Sequence, residues 1–245
     1  MRPVLFQRWG VTIPSYTALL YLGLIAGVVA GDIAARKAGL NTFRVYVATC
    51  LLVIPALAGA RLLYIACHWK FYRQNPRLTW KRGEGGLALH GGLILALALS
   101  LPLLKAMQLS WGAFWDTAVF TMLTGMMFTK VGCLLNGCCA GRSSNSWIAV
   151  TLPNGAESQS RIPSQLLELG WAALLLAFAV SLWPRLPFPG ALFLCVTAGF
   201  ESGRLVLRSF RERLPGTSKV GIEHCISTAI LWFAVAALAA GWPRN

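Results

Sequence analysis

Long apolar runs alternate with short polar stretches along this chain. Each run is close to the 20 or so residues that an α-helix needs to cross a bilayer core. Seven are apparent: Pro14–Ala30, Phe43–Cys67, Leu87–Leu104, Trp111–Leu135, Pro163–Trp183, Gly190–Leu207 and Val220–Ala240. The pattern predicts an all-α integral membrane protein with seven transmembrane helices, residues 1–245 forming a single polytopic domain. Small residues at Val29-Ala30-Gly31 resemble a leader cleavage site, but the spans that follow favour a retained first helix.

The polar stretches suit membrane boundaries. Met1–Thr12 is a basic and aromatic head with Arg2, Arg8 and Trp9, and Arg36, Lys37 and Arg44 form a short basic connection. His68–Gly86 mixes Lys, Arg, Trp and Tyr, as interfacial segments do. Ser143–Ile162 is a polar loop holding Pro153-Asn154-Gly155, a turn signal, and Pro184–Pro189 is a tight proline-rich turn.

Composition agrees. Hydrophobic residues make up 56% of the chain and charged residues 12%, half of what a soluble domain carries. The net charge of +14 on a membrane protein points to anionic lipid headgroups and not to nucleic acid, for which no motif is present. Of the seven cysteines, Cys50, Cys67, Cys195 and Cys225 sit in apolar runs as small hydrophobes, and only Cys133, Cys138 and Cys139 cluster. The C-x4-C-C spacing matches no common zinc pattern, so no metal site is expected. Packing residues are the first reading of that cluster, and a disulfide from Cys133 to one of the pair is the second.

The chemistry concentrates in Gly125–Arg142, at the end of the fourth span. Cations and amides at membrane depth are costly without partners and are functional hypotheses by default. Lys130 is either an anion ligand or the partner of an acid such as Glu201 or Glu168. Arg204, Arg208 and Arg211 share one helical face. Arg208 and Arg211 read as side chains snorkelling to headgroups, and the deeper Arg204 as a phosphate ligand, with Glu201 one turn earlier able to neutralise it. His90 precedes Gly91-Gly92 at the mouth of the third span. It reads either as a satisfied structural residue or as a base, with the two glycines leaving open space beside it. Arg161–Glu168 joins a cation, a helix start and an internal carboxylate, and Ser164 or Gln165 is placed to cap the helix or line a site.

Five segments, in order, resemble the bacterial prolipoprotein diacylglyceryl transferase family. They are Gly59-Ala60-Arg61-Leu62-Leu63-Tyr64, His90-Gly91-Gly92-Leu93-Ile94, Lys130–Arg142, Ile162–Glu168 and the span holding Arg204. Lys130–Arg142 is similar to the family signature Arg-x-Gly-Asn-x-x-Asn-Gly-Glu-x-x-Gly-Arg. Here Lys130 replaces its first arginine, Cys133 its first asparagine and Cys138 its glutamate. His224 stands near a usual glutamine, and Arg208 replaces an acid.

The resemblance implies transfer of diacylglycerol from phosphatidylglycerol to the lipobox cysteine in a prolipoprotein signal peptide, in the bacterial inner membrane and without metal or organic cofactor. It assigns His90 as base, Arg204 and Lys130 to the phosphate, and Asn136, Arg142, Gly141, Arg61 and Gln165 to substrate binding. It also implies an outer N-terminus and an inner C-terminus, which leaves more basic residues outside than the positive-inside rule expects. The departures keep two further classes in view. One is a related lipid-modifying transferase with another acceptor, the other a non-enzymatic lipid-binding membrane protein.

Overall fold

A computed structural model describes residues 4–8, 11–74, 88–138, 141–144, 146, 149–154, 157–183, 185–210 and 222–241. Arg2, Trp9, Cys139, Arg211, residues 75–86 of the expected interfacial loop and Leu87 at the start of the third span lie outside them. The order is β1 (Val4–Arg8), β2 (Val11–Pro14), α1 (Ser15–Lys37), α2 (Thr42–Cys67), α3 (Trp69–Gln74), α4 (Leu89–Ala106), α5 (Trp111–Asn136), β3 (Val150–Asn154), β4 (Glu157–Arg161), α6 (Ser164–Leu182), α7 (Ala191–Leu207) and α8 (Ile222–Gly241). A 3₁₀ turn, Arg208–Phe210, extends α7.

Six helices among the described residues are long and apolar enough to cross a membrane: α1, α2, α4, α5, α6 and, from His224, α8. The sixth expected run, Gly190–Leu207, forms α7, a helix of 17 residues. Much apolar surface stays outward along these helices. Ile25, Ile54, Leu62, Leu174, Val180 and Phe233 are all exposed, as suits side chains facing lipid tails.

Two expected polar segments are instead antiparallel hairpins. β1 pairs with β2, Arg8 opposite Val11, and β3 pairs with β4, Asn154 opposite Glu157. In each, the paired strands satisfy backbone groups that an irregular segment would leave to water. The start of the His68–Gly86 stretch is helical too, as α3.

The chain forms two compact units. One comprises Met1–Ala34 with Trp115–Asn245, the other Ala35–Phe114. In the second, α2 and α4 pack backbone to backbone. A methyl group added at Gly59 or Gly91 would overlap the other glycine's carbonyl oxygen, and one at Gly92 would lie 2.7 Å from the Ala56 oxygen. Where hydrocarbon surrounds the helices, such small-residue contacts supply the packing that a hydrophobic core gives elsewhere. The Ala88 N–H extends the contact by donating to the Ala60 carbonyl at 3.0 Å. The Gly91-Gly92 pair therefore does not leave open space beside His90. Helix α2 fills it.

In the first unit, α1 lies against α5 through Gly23, Gly27 and Gly31, spaced four apart on one face. An added methyl at Gly27 would lie 2.6 Å from the Thr121 carbonyl oxygen, and one at Gly23 2.7 Å from the Phe128 Cβ. Helix α6 meets α7 through Trp171. Its indole lies against Gly203, and its Nε1 donates to the Gly199 carbonyl at 3.1 Å.

Candidate functional site

The signature stretch ends α5 in a way its residues dictate. Gly137 has φ +72°, a left-handed conformation that costs any side-chain-bearing residue. The Gly137 N–H reaches back to Leu134 at 3.2 Å and the Cys138 N–H to Cys133 at 3.1 Å, the paired bonds of a Schellman motif. Asn136 is thereby the last helical residue and is exposed.

Gly141-Arg142 then runs as a short extended link between two other helix ends. The Gly141 N–H donates to Ile162 at 2.9 Å, the Ile162 N–H to Arg142 at 3.1 Å, and the Arg142 N–H to Phe210 at 2.9 Å. Gly141 has no room for a side chain, because a Cβ would lie 2.5 Å from the Phe210 oxygen and 2.8 Å from the Ile162 oxygen. The C-terminal ends of α5 and α7 and the N-terminal end of α6 thus meet around one dipeptide. Arg142 itself is exposed.

Helix α6 presents Gln165 and Glu168 from its first turn. Gln165 is 1% exposed, and its Nε2 donates to the Cys138 carbonyl at 2.6 Å. Because that acceptor is a carbonyl, the amide's orientation is fixed. Its Oε1 is buried with no hydrogen-bond partner among the described residues. Glu168, 8% exposed, makes an ion pair with Lys130. Of the two readings of Lys130, pairing with an acid is what this arrangement contains, and the acid is Glu168. Helix α6 starts after Pro163, and neither Ser164 nor Gln165 caps it.

Arg204 is on the last turn of α7. Its Nε lies 3.9 Å from the Glu201 carboxylate, a loose contact, and its side chain is 27% exposed against 1% for Glu201. The Trp171 indole covers the backbone just before it, at Gly203.

The remaining two expected residues belong to the unit Ala35–Phe114. His90 is buried in the first turn of α4. Arg61, on α2, sits over the rings of Tyr64 and Tyr72, with its Cζ 5.9 and 5.5 Å from their centroids. Tyr64 in turn stacks on His68 at 4.3 Å. Such contacts fix a guanidinium plane while leaving its N–H edge for other acceptors.

Cys133 is buried, and no disulfide joins it to Cys138; the Cys138 sulfur faces the Cys133 carbonyl at 3.7 Å. Asp116 is not among the residues expected from the sequence. This carboxylate is 4% exposed and accepts the backbone N–H of Gly190 at 2.7 Å and of Phe193 at 2.9 Å. It caps α7 from another helix, where the helix dipole favours negative charge. An acid inside the fourth apolar run was the signal available in the sequence.

These features define a polytopic helical membrane protein in which one turn of α6 holds both Lys130 and the Cys138 carbonyl. Residues 3–240 match the family described as prolipoprotein diacylglyceryl transferase, and the chain belongs to that family. It is similar to phosphatidylglycerol–prolipoprotein diacylglyceryl transferase 2 of Clostridium perfringens, with 31% identity over 66% of this chain and 64% of that one. The enzyme of Clostridium tetani is 27% identical over 86% of both chains, and that of Dehalococcoides mccartyi strain BAV1 27% identical over 96% of this chain and 90% of its own.

Proposed function

We propose that this chain transfers the diacylglyceryl group of phosphatidylglycerol to the lipobox cysteine thiol of prolipoproteins. The observation that carries the reading is the family match across residues 3–240, covering every segment that holds a candidate site residue. In the reaction, a base takes the thiol proton. The thiolate then attacks the glyceryl carbon bonded to the phosphoester oxygen. A carbon–sulfur bond forms, the carbon–oxygen bond breaks, and its electron pair leaves with glycerol phosphate. A thiolate is needed because the thiol is a poor nucleophile. Cations are needed because negative charge builds on the departing oxygen, most effectively offset in a water-poor site.

Arg204 and Lys130 are assigned to that phosphate, with Arg142 as a weaker third. His90 is assigned as the base. Asn136, Gly141, Gln165 and Arg61 are assigned to holding lipid and peptide. Helix α7 is taken as the seventh crossing, the protein as one polytopic domain in the bacterial inner membrane with its N-terminus outside. What supports the cation assignment is that one turn of α6 binds both Lys130 and the Cys138 carbonyl within the signature stretch.

The test is to incubate the purified chain with phosphatidylglycerol and a lipobox peptide. The expected product is peptide heavier by one diacylglyceryl group. A folded preparation that leaves the peptide unmodified removes the reading, and modified lipids with no peptide product favour a different acceptor.

A further inference from the structure

Lysine and arginine bind phosphate differently. Arginine's planar fork aligns itself through two parallel bonds, whereas an ammonium is a point charge on a flexible four-carbon stem. A lysine in a phosphate site needs something else to set its direction. In this chain the element that meets Lys130 is Glu168.

The surroundings make Glu168 more than a surface counter-ion. Both side chains are largely out of solvent, 17% and 10% exposed, so water screens the pair only in part. Glu168 stands three residues after Gln165, on the same helical face, and Gln165 holds the Cys138 carbonyl. One turn of α6 therefore grips the segment 130–138 at both its ends. An ammonium has three protons to donate. A carboxylate that takes up part of this capacity fixes the stem, and the rest remains for a phosphate oxygen.

We infer that Glu168 is a positioning residue for the transfer, holding the Lys130 ammonium where the departing phosphate needs it. The inference rests on the functional reading above. It also makes a specific claim about this chain: the acid matters because residue 130 is a lysine.

The experiment compares the full-length wild type, E168Q, E168D, K130R and K130R/E168Q in phosphatidylglycerol nanodiscs with a lipobox peptide. E168Q is expected to lower kcat about tenfold and raise KM for the lipid about threefold, with E168D recovering most of the loss. In the K130R background the same E168Q change should cost less than about twofold, because an arginine orients itself on phosphate. Equal losses in both backgrounds, or no loss from E168Q, would overturn the inference. Should the wild type make no product at all, the functional reading fails by itself. Retention of phosphatidylglycerol in native mass spectrometry then decides about Glu168. E168Q should retain about threefold less lipid than wild type but no less in the K130R background, and equal retention by wild type and E168Q overturns the role.

Discussion

Asp116 on α5 accepts the backbone N–H of Phe193, 77 residues later in the chain, at 2.9 Å. A second bond from Gly190 makes this carboxylate the cap of α7. Helix N-termini leave their first N–H groups unpaired, and in an apolar setting each such group must find an acceptor. Asp116→Leu should therefore destabilise the protein by about 3 kcal/mol or more, since bonds to a charged group contribute about 1.5–3 kcal/mol each. Asp116→Asn keeps one acceptor and should lose less. Thermal unfolding in detergent measures both, and a leucine variant as stable as the wild type would mean α7 needs no such cap.

The α2–α4 contact predicts a contrast between glycines. Gly91→Ala and Gly59→Ala each place a methyl group on the facing backbone oxygen, so both should lower the unfolding midpoint and the yield of folded protein. Gly170, on α6, has nothing within 4 Å of an added Cβ. Gly170→Ala should be neutral or raise stability by up to about 1 kcal/mol through helix propensity. Equal midpoints for G91A and G170A would count against the packing described.

Trp171 and Gly203 should be coupled. Gly203→Ala collides with the indole, displacing it or the backbone that carries Arg204. The loss of lipid transfer in G203A should exceed that in W171F, which keeps an aromatic ring but gives up the pyrrole edge against Gly203 and its bond to Gly199. Removing the ring makes room: adding G203A to W171A should cost less than about half the free energy it costs in the wild type. Strict additivity of the three unfolding energies would show that the two positions do not meet.

At Gly137 the positive φ sets the cost of a side chain. Gly137→Ala should destabilise by about 1–2 kcal/mol, the usual price of left-handed backbone for an L-residue. Gly137→Asn should cost less, because asparagine is the other residue found at this kind of helix end. Should alanine prove the better tolerated of the two, the helix ends differently from the Schellman geometry.

Arg204 and His90 carry the sharpest functional expectations. Arg204→Lys keeps charge but loses the bidentate fork, and a loss of about 10²-fold in kcat is expected. His90→Ala should abolish transfer while leaving phosphatidylglycerol retention intact. Unchanged turnover in either variant removes that residue's role, and turnover with a lipobox peptide is the measurement for both.

Helix positions were legible from apolar run length because the bilayer imposes it. Phe43–Cys67 appears as Thr42–Cys67, and Trp111–Leu135 as Trp111–Asn136. The hairpins were not legible, since β3 and β4 include Pro153, Ser158 and Ser160, a composition that also fits a polar loop. The pair Lys130–Glu168 was one of two partners the sequence allowed, and only the fold separates Glu168 from Glu201. The glycines beside His90 were misjudged for a simple reason: a missing side chain can serve a ligand or a neighbouring helix, and spacing alone does not say which. Asp116 stands out in the sequence only as an acid inside an apolar run, because its partners are backbone N–H groups, which leave no trace in residue identity.

The Gly141-Arg142 link has a mechanical implication. Two helix ends, at Ile162 and Phe210, are hydrogen-bonded to one dipeptide whose first residue has no side chain. Prying α6 away from the end of α7 would break either the two hydrogen bonds to Ile162 or the one to Phe210. The backbone at this link is thus tied to two neighbouring helix ends, while the Arg142 side chain stays exposed beside them.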